Sequence, residues 1–352
     1  MFRRSAKEGN YAYAVARVKA KKSLLMTMED YDKLLQMKPA EISRYISENG
    51  YQKEMTDLAN KYEGVTLIEH ATYQNMANVF HSLLMATQGE LNTLVTAFLG
   101  KWNVWNLKVI LRGKSYGLSA EPIRDSLIPA GSLTAEDLDK LVALDSQEEI
   151  LTLFGKMLGV PQQEIQALIK EGGNNQLGII EDYMDQYYYY SVLARIDPKT
   201  RPGRMYQDYV RTEIDAKNLE TILKLKAEGI YGEKVMQYYI PGGKEIDRKL
   251  AVQLANTETI QAFANEASGL EFADFIKEIA DNENLLVRDI IREMQKYEMD
   301  LAKKFSHMYP LSVVPIIDYM LHKENEVMNI RTIARGLESG LDKDLIKGLL
   351  VI

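Results

Sequence analysis

The sequence predicts an all-α protein made of three similar helical units. Three observations predict it: one line is written three times, its apolar positions recur at helical spacing, and no alternating apolar–polar run is long enough for a strand. The line reads "NLKVILRGKSYGLS" from Asn106, "NLETILKLKAEGIY" from Asn218 and "NIRTIARGLESGLD" from Asn329, at intervals of 112 and 111 residues. At 352 residues, 46% hydrophobic and 26% charged, the chain is too long for one ordinary core. The spacing selects three units, expected at residues 1–131, 132–243 and 244–352.

Aligned on their asparagines, the copies agree position by position. Leu107, Leu219 and Ile330, then Ile110, Ile222 and Ile333, then Leu111, Leu223 and Ala334 form one buried helical stripe. Arg112, Lys224 and Arg335 are always basic, which suits a helix C-terminus. Gly117, Gly229 and Gly340 are the expected stops, followed by the apolar Leu118, Ile230 and Leu341 that fold back on the finished helix. Glu121, Glu233 and Asp344 then suit the first turn of a second helix, for which Ser119 and Asp342 are candidate N-caps. That helix ends at Ile128, Ile240 and Val351. The middle copy carries Leu225 where its siblings have Gly113 and Gly336, so its first helix is expected to run further.

A second repeated line opens each unit. "TMEDYDKLLQMKPAEISRYI" from Thr27 resembles "TAEDLDKLVALDSQEEILTLF" from Thr134, with a weaker copy from Lys244. Between the two lines lie long helices; in one, Ile180, Tyr183, Met184, Tyr187, Tyr188 and Ser191 make an amphipathic stripe. Tyr187 and Tyr188 are expected in the core, while Tyr189 and Tyr190 are open to either side. Breaks precede each asparagine helix at Gly89, at Pro198, Pro202 and Gly203, and at Pro310 and Pro315.

Composition and motifs exclude several functions. There is no cysteine, hence no disulfide, thiolate metal site or cysteine nucleophile. A net charge of −7 argues against broad electrostatic binding to nucleic acid or anionic lipid. "MYPLSVVPIIDYML" is the most apolar span, but it holds Asp318 and two prolines and is short of the roughly 20 residues a bilayer requires, so a soluble chain is expected. Arg3, Arg4, Lys7, Arg17, Lys19, Lys21 and Lys22 face only Glu8 near the start; without an apolar core or cleavage site they read as a basic amphipathic first helix. His70, His81, His307 and His322 are scattered and make no metal pair. "PGGK" at Pro241 lacks the spacing of a phosphate loop, and "EGGNNQLG" at Glu171 reads as a turn. No residues are visible for catalysis, a cofactor or a metal.

Triplicated units packed about a common axis would form a pseudo-threefold body with a central concavity and two distinct ends. Asn103, Asp215 and Glu326 precede the asparagines by three, so a polar pair recurs on one helix face. Asn106, Asn218 and Asn329 are therefore candidates for a partner interface or for buried contacts between helices. Lys108, Glu220 and Arg331 differ in charge between copies and are expected to be solvated.

"YAYAVARVKAKKSLLMTMEDYDKLL", the "NLKVILRGK" line and "PLSVVPIIDYMLHKENEVMNIRTIARG" through to the end resemble the C subunit of the archaeal-type and bacterial V-type rotary ATPases, the counterpart of the d subunit of the eukaryotic V-ATPase. The resemblance spans essentially the whole chain, although "GKWNVWNLK" has Lys101, Trp102 and Trp105 where the family has an acidic lead. It implies a funnel-like, non-catalytic body without cofactors, cytoplasmic and peripheral to the membrane. Its implied partners are central-stalk subunits at one end and the cytoplasmic loops of the membrane rotor ring at the other, in a proton- or sodium-translocating complex, with Arg112, Lys224 and Arg335 as candidates for facing the axis or the ring. The competing reading is a helical-repeat scaffold unrelated to rotary ATPases.

Overall fold

The computed structural model describes residues 9–172, 177–281 and 287–352. Among the described residues the chain is helical without a strand. Its first stretch forms α1 (Tyr11–Lys22), α2 (Met28–Leu34), α3 (Pro39–Ile46), α4 (Gln52–Leu58), the long α5 (Gly64–Ala86), the first asparagine helix α6 (Gly89–Ser115) and α7 (Ala120–Asp125). Next come α8 (Ala135–Val142), α9 (Gln147–Leu158), α10 (Gln162–Gly172), the long α11 (Leu177–Arg195), the second asparagine helix α12 (Arg201–Ala227) and a 3₁₀ turn at Gly232–Tyr238. The last stretch holds α13 (Arg248–Asn256), α14 (Ile260–Glu266), α15 (Ala273–Ala280), the long α16 (Val287–Met308), the third asparagine helix α17 (Val314–Glu338) and α18 (Lys343–Leu349).

Local chemistry sets these limits. Thr134 caps α8 by accepting from the Asp137 amide, while Asp137 and Asp30 return the bond to the amides of Thr134 and Thr27; Asp247 caps α13 through Leu250. Gly117, Gly229 and Gly340 stand at φ of +69°, +76° and +70°, and the next residue's amide donates to Gly113, Leu225 or Gly336 at 2.9, 2.8 and 2.9 Å.

Leu225 does not lengthen its helix. α12 stops two residues before its glycine, as α6 and α17 do, because the left-handed glycine decides the stop. What Gly113 and Gly336 provide is room: a Cβ at either would lie 2.6 Å from Cγ1 of Ile123 or Ile346. In the middle copy the larger Leu225 is matched by the smaller Val235, and the facing segment is a 3₁₀ turn instead of an α-helix.

Packing does not stay within one copy. α6 lies along α11, α12 along α16, and α17 returns to α5, so each asparagine helix leans on a long helix of the following stretch and the last closes on the first. The repeated apolar stripe follows the same rule. Leu107 and Ile110 join a core with Leu138, Leu141 and Phe154; Leu219 and Ile222 pack with Phe263 and Phe272; Ile330 and Ile333 pack with Ile42 and Ile46. Each such side chain, buried, contributes about 1.5–3 kcal/mol. The first halves of the asparagine helices behave differently, because Leu94 and Phe98, Tyr209 and Val210, and Ile317 and Met320 all enter one common core. The first halves of the three helices therefore share one apolar core, while the later halves of α12 and α17 enter two others.

The tyrosine run is sorted by the same geometry. Tyr188 and Tyr189 are buried, Tyr187 is half-buried and Tyr190 is exposed. No helix among the described residues is long and apolar enough to cross a membrane.

Candidate functional site

The asparagines are structural clamps. Asn106 donates to the Ile128 carbonyl at 2.6 Å and accepts the Ile128 amide at 2.8 Å; Asn218 does the same with Ile240 at 2.8 and 2.8 Å, and Asn329 with Val351 at 2.8 and 3.2 Å. All three are at most 2% exposed. Each amide satisfies both backbone groups of the residue 22 positions on, so these side chains are committed inside the chain rather than offered to a partner.

The polar residues three positions earlier bind the start of the next stretch. Asn103 accepts the Leu133 amide at 3.1 Å. Asp215 accepts those of Lys244, Glu245 and Ile246 at 2.8, 2.7 and 3.1 Å, so the "PGGK" loop wraps an acid of its own chain. Glu326 accepts the Met26 amide at 2.6 Å, across 300 positions. Leu133, Ile246 and Met26 each immediately precede a helix N-cap, Thr134, Asp247 and Thr27. Glu326 therefore ties the end of the chain to its beginning as the other two tie neighbours. Close approach at the first two requires glycine, since a Cβ at Gly131 or Gly243 would lie 2.1 or 1.9 Å from the Asn103 or Asp215 oxygen.

Above the common core the asparagine helices border a hollow of ≈ 480 Å³, lined from α6, α11, α12, α16 and α17, with an adjoining recess of ≈ 230 Å³. Lys101, Glu213, Glu324, Lys217 and Glu220 line the larger hollow and Met328 lines the recess, at offsets one helical turn apart along the asparagine helices. At the base Lys101, Glu213 and Glu324 meet: Lys101 Nζ lies 2.7 Å from Glu324, to which Trp102 also donates at 3.2 Å. Glu213 accepts from the Tyr189 hydroxyl at 3.3 Å, and burial and the neighbouring Glu298 push its carboxyl up to about 7, against the pull of Lys101 and Lys217. One turn on stand Trp105, Lys217 and Met328. Lys217 bridges Glu298 at 2.5 Å and Glu220 at 3.0 Å, whereas Trp105 and Met328 remain 47% and 49% exposed.

The next steps turn outward. Lys108 pairs with Asp185 at 2.5 Å, Glu220 with Lys217 and Lys224, and Arg331 with Glu69 at 3.3 Å and the Tyr73 hydroxyl, so these three positions are ion-paired rather than merely solvated. Arg112 holds Glu181 through two bonds of 2.6 and 2.5 Å, and Arg335 holds Glu69 likewise, its Nε at 2.9 Å. Both arginines thus cross to the long helix of the next stretch. Lys224 stays with Glu220 on its own helix, because Ile291 stands in α16 where α5 and α11 carry Glu69 and Glu181. The larger hollow is lined by six carboxylates and three lysines. Burial, with Asp185 beside it, raises Asp182 to about 6. Part of this lining falls at the offsets −5, −1 and +2 from the asparagines, as Lys101, Glu213, Glu324, Lys217 and Glu220 do, but the residue types differ between copies and so do not register as a repeat.

The remaining candidates are local. His70 stacks on Tyr62 at 3.9 Å, and His307 and His322 bond carbonyls one turn back at 2.7 and 2.8 Å. Among the described residues no group of His, Asp and Glu could hold a metal ion. Of the basic start, Lys22 grips Asp318 at 2.7 and 2.8 Å, while Arg3, Arg4, Lys7 and Glu8 lie outside the described residues, as do residues 173–176 of "EGGNNQLG".

Comparison with known proteins places this arrangement. The family model described as ATP synthase (C/AC39) subunit matches residues 14–349. The chain is similar to the A-type ATP synthase C subunit of Methanosarcina acetivorans, 37% identical over 97% of this chain and 93% of the relative. Proteins of the same name match from Methanococcoides burtonii, at 35% over 99% and 96%, and from Archaeoglobus fulgidus, at 34% over 97% and 96%. With that match running nearly end to end, the chain belongs to the ATP synthase (C/AC39) subunit family.

Proposed function

We propose that this chain is the non-catalytic coupling piece of a rotary ATPase, seating the tip of the central stalk in its hollow and resting on the membrane rotor ring. The name its relatives carry is that of an accessory rather than a catalytic component of the synthase. Its three helical units, 1–131, 132–243 and 244–352, are read as packing about a pseudo-threefold axis in a funnel-like body, peripheral to the membrane on the cytoplasmic side.

One observation carries this reading: the cyclic packing of α6 on α11, α12 on α16 and α17 on α5 around a hollow floored by a shared core. Such a body resists twist, because a load on any asparagine helix passes to the next stretch through buried contacts and two-bond arginine–carboxylate pairs. Affinity capture of the native complex, followed by native mass spectrometry, tests it. Recovery with stalk subunits and rotor ring is the expected outcome, and a partner set lacking both overturns it in favour of an unrelated scaffold.

A further inference from the structure

We propose that the cleft between α1 and α16, over the start of α17, binds a phosphate monoester whose phosphoryl group is held by Lys19, Lys303 and the Ser306 hydroxyl. The inference goes beyond the coupling role and does not depend on it, because the cleft shares no residue with the hollow or its recess.

Folding of the third stretch onto the first makes the cleft. α1 and α16 both pack along α17, and between them stands a cavity of ≈ 560 Å³, within the roughly 300–1,000 Å³ of small-molecule pockets. Val18, Pro310 and Pro315 give it apolar walls. Its charge is opposite to that of the hollow: Lys19, Lys22 and Lys303 line it against one acid, Asp318, in a chain whose net charge is −7. Asp318 is already engaged, by Lys22 through bonds of 2.7 and 2.8 Å and by His322 at 3.1 Å. Lys19 and Lys303, among the described residues, have no ion-pair partner. A concave surface with uncompensated positive charge concentrates anions.

A buried hydroxyl is the second, independent observation. Ser306 lines the cleft at 9% exposure, and among the described residues its hydroxyl bonds nothing. Ser43, Thr56 and Thr212, also within helices, return theirs to a carbonyl one turn back at 3.1, 2.8 and 2.9 Å. Ser306 instead keeps a donor that only an occupant of the cleft satisfies.

The donor set selects a phosphoryl group over a carboxylate. No arginine lines the cleft to offer the planar two-bond fork that suits a carboxylate; ammonium groups on facing helices, with a hydroxyl beside them, suit the several oxygens of a phosphate. Lys22 keeps one N–H beyond the two given to Asp318. An occupant shared by Lys19 and Lys303 would also brace the first stretch against the third, which no peptide connects.

Thermal unfolding of the full-length protein in phosphate-free buffer, titrated with glycerol 3-phosphate, tests this, with glycerol and with sodium chloride of equal ionic strength as controls. The expected result is a saturable rise in Tm with the phosphate monoester alone, accompanied by slower hydrogen exchange in α1. Ser306→Ala and Lys303→Gln should each weaken binding about tenfold, while Lys53→Gln, which removes a charge from α4, leaves it unchanged. Phosphatidylcholine vesicles with and without phosphatidic acid distinguish the source. Retention on the phosphatidic acid vesicles that is lost in Ser306→Ala, with no response to glycerol 3-phosphate, supports the same site with a lipid headgroup as its ligand. An equal rise with sodium chloride, affinities unchanged in both Ser306→Ala and Lys303→Gln, or no response to either probe overturns the inference and leaves the coupling role untouched.

Discussion

Two junctions perform the same task by different means. Between the second and third stretches, Asp215 receives three consecutive backbone amides from a loop that follows directly in the chain. Between the third stretch and the first no loop exists, and Glu326 receives one amide, from Met26. The rest is done by side chains: Tyr51 donates to Glu326 at 2.5 Å, buried Lys323 donates to both at 2.8 Å, Lys22 grips Asp318, and Lys347 reaches Asp32 at 2.6 Å. Where the chain is continuous, its own backbone suffices; where it is not, charge-assisted bonds replace the connection.

The largest effect is expected where this closure is cut. Glu326→Ala leaves Lys323, the Tyr51 hydroxyl and the Met26 amide without their acceptor, and should cost about 3–5 kcal/mol. Hydrogen exchange should rise first in α1 to α4, whereas Asp215→Ala should loosen residues 241–247; equal, global loss in both would remove the contrast. The asparagine clamps come next. Asn106→Ala, Asn218→Ala and Asn329→Ala each leave a buried amide and carbonyl unpaired, about 1–3 kcal/mol in chemical denaturation. Only Asn329→Ala should speed hydrogen exchange at the Val351 amide, because Val351 is the backbone it holds.

Acid should act on the two regions in opposite directions. Burial alone would raise the Asp318 carboxyl, but His322 and Lys22 outweigh it and hold it below the usual range. Its contribution is therefore present above about pH 4 and lost as pH falls through the depressed value. Glu213 is raised, so the native state binds the extra proton between about pH 4.5 and 7 and stability declines as pH rises through that window. Asp318→Asn should lower the melting temperature at pH 7 with the difference closing toward pH 3. Glu213→Gln should raise it at pH 8 and leave it unchanged at pH 5; the reverse pattern for either would contradict the assigned environments. The smallest effect is expected for Ile291→Glu, which offers Lys224 the cross-helix partner that Arg112 and Arg335 already have. A half-exposed pair of this kind is worth about 0–1 kcal/mol, and a double-mutant cycle with Lys224→Ala measures it.

Much of the fold is legible because helices write themselves locally. The Leu107–Ile110–Leu111 stripe, the glycine stops and the Thr27 and Thr134 caps depend on residues within a few positions, and each stands where its spacing indicates. Two expectations fail. Leu225 predicts a longer helix, but left-handed Gly229 ends it at the same offset as in the other copies. The changing charge at Lys108, Glu220 and Arg331 predicts solvated side chains, but Asp185 and Glu69 on other helices pair Lys108 and Arg331, and Lys217 and Lys224 on the same helix pair Glu220. The hollow is hidden similarly. Lys101, Glu213 and Glu324 share an offset but not a residue type, and only their convergence makes them a set.

By itself, then, the sequence determined the elements: three asparagine helices, where they begin and stop, and which face of each is buried, because 3.6-residue periodicity, capping and left-handed glycine are local properties of the chain. Tertiary structure alone decided which stretch each face packs against, that Glu326 joins residue 26, and which charges meet around the hollow. Those outcomes depend on contacts across a hundred residues or more, where spacing along the chain carries no record of distance in space.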